Sequence, residues 1–154
     1  MNQKGRVIFL LSYSLIILMM EDNFANSSNS FDQVIQVKIL GDETVLVDVT
    51  LADTPTKRRI GLSNKAKLPQ NNGLLLDFTR AIRPKIWMKD TRFSLDILFI
   101  KSDGEITQIK HRAEPYSLDI IYSKEKVRYV LEINGGEASF NDVNVGDRVQ
   151  FIIK

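Results

Sequence analysis

From Phe31 onward the apolar residues recur at a spacing of two, so the chain reads as a succession of short strands. Ile35, Val37 and Ile39 alternate with Gln36 and Lys38. Val45, Val47, Val49 and Leu51 alternate with Leu46, Asp48 and Thr50. Gly41-Asp42 lies between these runs, which predicts an antiparallel hairpin. Leu74-Leu75-Leu76 with Phe78 predicts a short buried strand. In Leu95–Ile100 apolar side chains occupy both alternating sets, the signature of a central strand covered on both faces. Asp96 is the exception within it. Asp103-Gly104 next predicts a two-residue type I′ turn and a return strand from about Glu105. Ile106 and Ile109 break that strand's alternation, which predicts a bulge. Val127, Tyr129, Leu131 and Ile133 alternate with Arg128, Val130 and Glu132. Val149, Phe151 and Ile153 share one face of a last strand.

Two short helices interrupt the strands. Asp53-Thr54-Pro55 supplies a cap (Thr54 or Asp53) and a proline at the first helical position, and Gly61 can end the helix in the left-handed conformation. Ile60 and Leu62 are its expected core contacts. Lys57, Arg58 and Arg59 stand at odds with the dipole at a helix start; they are expected to form a solvated face, with an anion or lipid-headgroup contact as the alternative. Glu137 to Val143 predicts one or two further turns. About seven strands, two short helices and many turns imply a mainly β fold. The expected form is an antiparallel β-sandwich or flattened barrel with one or two short helices.

The N-terminus follows a different pattern. Lys4 and Arg6 precede an apolar run, Val7–Met20, which is followed by polar residues 21–30. That is the layout of a secretory signal peptide spanning 1–25, with cleavage after Ala25. The apolar run is short of the roughly 20 residues of a membrane-crossing helix. An uncleaved anchor and a buried helix are the alternatives. Residues 26–30, Asn-Ser-Ser-Asn-Ser, read as a polar tether, and 31–154 as one β-rich domain. The expected location is periplasmic or secreted, with the membrane touched only through the N-terminal segment.

Composition narrows the chemistry. A chain of 154 residues with 44% hydrophobic content suits one domain with a proper core. The net charge of +2 gives no nucleic-acid footprint. Arg80, Arg83, Lys85, Lys89 and Arg92 interleave with Phe78, Trp87 and Phe93, but too irregularly for a single-strand binding groove. There is no cysteine, hence no disulfide, thiolate metal site or cysteine nucleophile. His111 is the single histidine and reads as a solvated residue at a strand end. It offers neither a triad nor a metal constellation. No cofactor is expected.

The order of motifs carries a resemblance. Asp53-Thr54-Pro55 with Gly61-Leu62 comes first, then Trp87-Met88-Lys89-Asp90-Thr91, then Leu95-Asp96-Ile97-Leu98-Phe99-Ile100. Tyr129-Val130-Leu131-Glu132 with Gly136, and Val145-Gly146-Asp147-Arg148-Val149, follow. Together they resemble the domain of unknown function 192 family over roughly Val45 to Phe151. The resemblance implies a mainly β, jelly-roll-like domain, often behind a bacterial secretion signal, with no established reaction. The family usually has Asn at Asp90, Pro at Ser94, and acidic residues where Lys57-Arg58-Arg59 stand. Its common Pro-Cys pair is Pro115-Tyr116 here.

The candidate site gathers the unusual residues of these motifs: Trp87, Met88, Asp90, Thr91 and Asp96, with Glu132 adjoining. Trp87 and Met88 point to opposite sides of an extended segment. Core packing of both is the simpler reading; otherwise one of them lines a pocket. Asp96 is expected to be structural, accepting hydrogen bonds from Thr91 or a backbone turn, or pairing with Lys89, Arg92 or Arg128. The functional expectation is a monomeric, non-catalytic module that binds a small ligand or an envelope protein. The alternative is a hydrolase of an envelope polymer that uses Asp96 and Glu132 as paired carboxylates in one cleft.

Overall fold

The computed structural model describes residues 34–152. The signal-like run, the cleavage point, the tether and Ile153 lie outside the described residues. The elements are β1 (Val34–Leu40), β2 (Thr44–Ala52), α1 (Pro55–Ile60), β3 (Asn72–Ile82), β4 (Lys85–Ile86), β5 (Leu95–Ile100), β6 (Ile106–Ala113), β7 (Ile121–Tyr122), β8 (Val127–Asn134), α2 (Glu137–Phe140) and β9 (Arg148–Ile152).

Seven strands form one sheet in the order β6-β5-β8-β3-β2-β1-β9, and β4 pairs with β7 in a two-stranded flap. The expected β1–β2 hairpin is present, with Val37 opposite Val47. One pair departs from the antiparallel expectation: β2 and β3 are parallel, Val49 facing Gly73. Parallel neighbours need a long crossover, and the segment carrying α1 provides it. Gly73 is required there, because a Cβ would stand 2.8 Å from the Glu132 carbonyl oxygen on β8.

The sheet curls until its two edges meet at one corner. Ile106 N–H donates to the Asp147 carbonyl, Gly146 N–H to that of Ile106, and Val149 N–H to that of Gly104. The result is a half-barrel rather than two facing sheets. The Asp103-Gly104 turn differs from type I′ in the same place. Gly104 N–H donates to Lys101 O and Lys101 N–H to Glu105 O, which makes a three-residue loop. Gly104 has φ +92°, whereas Asp103 is not in the left-handed region. A Cβ on Gly104 would also strike the Val149 carbonyl. Gly104→Ala is therefore expected to cost about 2 kcal/mol, read as a lower urea midpoint at unchanged slope.

Every residue of β5 is buried, as the double-sided apolar pattern implies. The strand is nevertheless second from the edge, and β3 is the middle one. Burial on both faces comes from what covers the sheet. Leu98 and Ile100 join Val37, Val49, Leu75 and Leu131 inside the curl. Leu95, Ile97 and Phe99 join Leu74, Leu76 and Val130 on the other face, beneath Leu62, Ile86 and Met88. The loop after α1 and the β4–β7 flap thus cover the outer face of the sheet. The register shifts between β5 and β6 supply the expected irregularity.

Candidate functional site

The outer layer leaves a cavity of about 300 Å³ between α1, the β4 segment and the sheet. Helix α1 is placed by local chemistry: Thr54 Oγ1 accepts from Lys57 N–H at 3.2 Å, Pro55 opens the helix, and Gly61 ends it at φ +53°. In so short a helix Lys57, Arg58 and Arg59 fall in its last turn, where the dipole favours positive charge. They are not one solvated face. Lys57 pairs with Asp53 at 3.0 Å. Arg58 donates to the carbonyls of Asp53 and Asp77 and lies 5.1 Å from the Phe78 ring centre. Arg59 lines the cavity and has no hydrogen-bond or ion-pair partner among the described residues. Ile60 is 41% exposed, so Leu62 alone makes the expected core contact.

The wall opposite α1 is the Trp87 segment. The extended stretch turns at Met88–Thr91, where Thr91 N–H donates to Met88 O at 3.0 Å. Asp90 takes the left-handed position of that turn, φ +59°, which Asp and Asn tolerate best among L-residues. The alternation places Met88 in the core, 1% exposed, and leaves Trp87 half-exposed at the cavity mouth with Lys89 Nζ 5.5 Å from its ring. Core packing therefore holds for Met88 and not for Trp87.

The floor belongs to the sheet. Glu132 lies opposite Ile97 on β5 and Leu74 on β3, so its side chain shares their apolar face. Leu62, Leu76, Ile86 and Leu95 line the cavity around it. Glu132 is 7% and Thr91 5% exposed, and neither side chain finds a hydrogen-bond or ion-pair partner among the described residues. Desolvation raises the Glu132 carboxyl from 4.5 to about 7. Four cations also line this cavity: Arg58, Arg59, Lys85 and Lys89. Lys85 and Lys89 lie against the Tyr122 and Trp87 rings, and Arg58 is held by carbonyls.

The candidate residues thus separate. Trp87, Thr91 and Glu132 meet at one cavity, whereas Met88 is core and Asp90 forms the turn. Asp96 points the other way. It lies opposite Ile133, one residue out of step with the Ile97–Glu132 pair, so the two carboxyls emerge on opposite faces of the sheet. They share no cleft, which corrects the paired-carboxylate geometry. Asp96 is fully buried and accepts from the backbone N–H groups of Arg112 (2.7 Å), Gly136 and Ala138 (both 2.9 Å). A backbone turn is thus its partner, not Thr91 or a cation. His111 is exposed, its Nδ1 3.4 Å from Ser139 Oγ. The sequence raises Arg59 only as one of three basic residues in the alternative anion contact, because a basic run on a short helix carries no sign of which member faces a cavity. The interleaving of Phe78, Lys85, Trp87 and Lys89 is a usable signal, and all four line the cavity.

Comparison with known proteins agrees with this architecture. The chain is similar to a protein from Sinorhizobium meliloti 1021 labelled a candidate transcription regulator. The two are 38% identical over 77% of this chain and 93% of that one, with a TM-score of 0.75. It is also similar to a protein of unknown function from Novosphingobium aromaticivorans DSM 12444, with 27% identity over 80% and 89% of the chains and a TM-score of 0.77. No curated protein sequence matches it significantly. The family model DUF192, described as "Uncharacterized ACR", matches residues 35–151. With that span matched, the chain belongs to the DUF192 family of uncharacterised proteins.

Proposed function

We propose that this chain is an exported binding domain of the cell envelope that takes a small ligand into the cavity beneath Trp87 and does not hydrolyse it. One observation carries the reading: Glu132 and Thr91, each more than nine-tenths buried as a residue, line the cavity with no hydrogen-bond or ion-pair partner among the described residues, and their polar atoms are open to it rather than sealed away as Ser94 Oγ is. Polar groups that are largely desolvated yet open to a cavity are poised to hydrogen-bond to an occupant. A pocket with an apolar floor, an aromatic edge and a few convergent polar groups is the usual form of a small-molecule site.

Glu132 is the single carboxylate among the residues lining the cavity. A two-carboxylate glycosidase needs a second one facing the same bond, so binding fits this arrangement better than hydrolysis. The basic run followed by Val7–Met20 supports export. The Sinorhizobium relative's label raises DNA binding as another role. Neither described helix exceeds six residues, which is short for a helix that reads a major groove.

Capture from a mixture tests the reading whatever the ligand is. The purified full chain is equilibrated with a low-molecular-weight extract of bacterial envelope, and retained compounds are identified by mass spectrometry. A compound held by the parent protein and released by both Trp87→Ala and Glu132→Leu is the expected result. Equal retention by parent and variants places binding elsewhere. Fractionation of the tagged full chain checks export: recovery in the cytosol alone refutes it.

A further inference from the structure

The cavity is chemically polarised, and that polarity specifies what it would hold. Its interior carries one carboxyl on the sheet floor and one hydroxyl on the Trp87 wall, neither with a partner among the described residues, set among Leu62, Leu76, Ile86 and Leu95. Its rim is cationic, and the cations are not equivalent. Arg58 is committed to two backbone carbonyls, at 2.7 and 2.6 Å, and Lys85 and Lys89 lie against aromatic rings. Arg59 alone of the four has neither a hydrogen bond nor a ring contact among the described residues.

An amine without an acidic group would satisfy Glu132 but would meet four positive charges on entry. A simple anion would suit the rim and leave Glu132 and Thr91 unpartnered. A neutral sugar could hydrogen-bond to the floor, but its hydroxyls would then lie against four aliphatic side chains. A ligand that carries a donor cation, an anion and an apolar body matches all three parts. Size points the same way, since about 300 Å³ is at the lower limit for small-molecule pockets.

Building on the binding role proposed above, we infer that the ligand is an apolar amino acid or short peptide, its ammonium on Glu132 and Thr91 and its carboxylate on Arg59. The ammonium–carboxylate contact is a charge-assisted hydrogen bond in a partly dry site, the kind that repays desolvation when its geometry is good. Ligand binding draws the Glu132 proton off, so affinity rises with pH through the range where the free carboxyl titrates. Arg58 and Arg59 on α1 and Lys85 and Lys89 on the opposite wall are the other charged groups lining this cavity.

Trp87 is the only tryptophan of the chain and lines the cavity, so its emission reports occupancy directly. The full chain is titrated with L-leucine and Leu-Leu, with their N-acetyl derivatives and carboxamides, and with glucuronate as a sugar acid. Each series is run at pH 6 and pH 8. At least one free zwitterion is expected to bind about tenfold or more tighter than both its N-acetyl and its amide form, a gap of roughly 1.4 kcal/mol. Glu132→Gln is expected to abolish the preference over the N-acetyl form, and Arg59→Ala only the preference over the amide. Equal binding of N-acetyl and free forms, tighter binding of glucuronate, or no response to any zwitterion at millimolar concentration overturns the assignment. A retained envelope compound without an ammonium group would also end this inference while leaving the cavity as a binding site. Equal retention by the Trp87→Ala and Glu132→Leu variants would end both.

Discussion

Glu132→Gln is expected to be more stable than the parent chain by about 3 kcal/mol at pH 8 and no more stable at pH 4. The cause is the carboxyl at the cavity floor, raised from 4.5 to about 7 by burial alone. Between those values the folded chain keeps a proton that the unfolded chain has released. Stability therefore falls as pH rises from about 4.5 to about 7, and stays level above. Glutamine has the shape of the protonated acid and does not titrate, so it removes this slope. Asp53 acts with the opposite sign and at lower pH. The hydrogen bond from Lys57 is the main reason its carboxyl sits below the ordinary value of 3.8, so its contribution is lost as the solution is acidified past that point. The check is a series of urea denaturation curves from pH 4 to pH 8 for both proteins. Parallel pH profiles would mean that Glu132 is paired or solvated in the folded chain.

A stabilising substitution at a cavity floor also has a functional reading. Chains tolerate strained or unsatisfied groups mainly where an activity needs them. If Glu132→Gln gains stability while losing ligand, the carboxyl is retained for binding. If it gains stability and every ligand affinity stays the same, Glu132 is a packing defect and the binding role loses its main support.

The parts of the fold visible in the sequence are those fixed by local chemistry. The β1–β2 alternation, the Thr54-Pro55…Gly61 helix and the double-sided burial of Leu95–Ile100 all follow from neighbours within a few residues. What the sequence hides is set by distant partners. Strands β4 and β7 are two residues each and exist because Lys85 and Ile86 find Tyr122 and Ile121. No period can show in so short a segment. The parallel β2–β3 pair is hidden because a six-residue helix does not resemble a crossover. The opposition of Asp96 and Glu132 is a matter of register between β5 and β8. A shift of one residue would put both carboxyls on one face, and neither strand states which register holds. The Trp87–Thr91 block is legible as unusual. Its division into core (Met88), turn (Asp90) and cavity wall (Trp87, Thr91) needs the fold.

Asp96→Asn is expected to cost about 3 to 5 kcal/mol, although the side chain is nearly isosteric and touches no ligand cavity. Helix α2 begins at Gly136, φ +98°, which has no side chain to cap its first amides. Asp96 reaches from β5 to do so, with Oδ2 accepting from Gly136 and Ala138 and Oδ1 from Arg112 on β6. A carboxylate fits because all three partners are donors and because negative charge is favoured at a helix start. An asparagine has one acceptor oxygen. Whichever way its amide is turned, the NH₂ group confronts at least one N–H, and buried donors are left without partners. The loss should appear as a lower urea midpoint at unchanged slope. Hydrogen exchange should quicken first at Gly136 and Ala138, where α2 detaches, while Leu98 and Ile100 keep their protection. A cost under about 1 kcal/mol would mean that water or another group can take the place of Asp96. Its burial beneath the Gly135-Gly136 turn would then be packing rather than anchorage. Faster exchange throughout β5 at equal global stability would mean that the strand, not the turn, depends on the carboxylate.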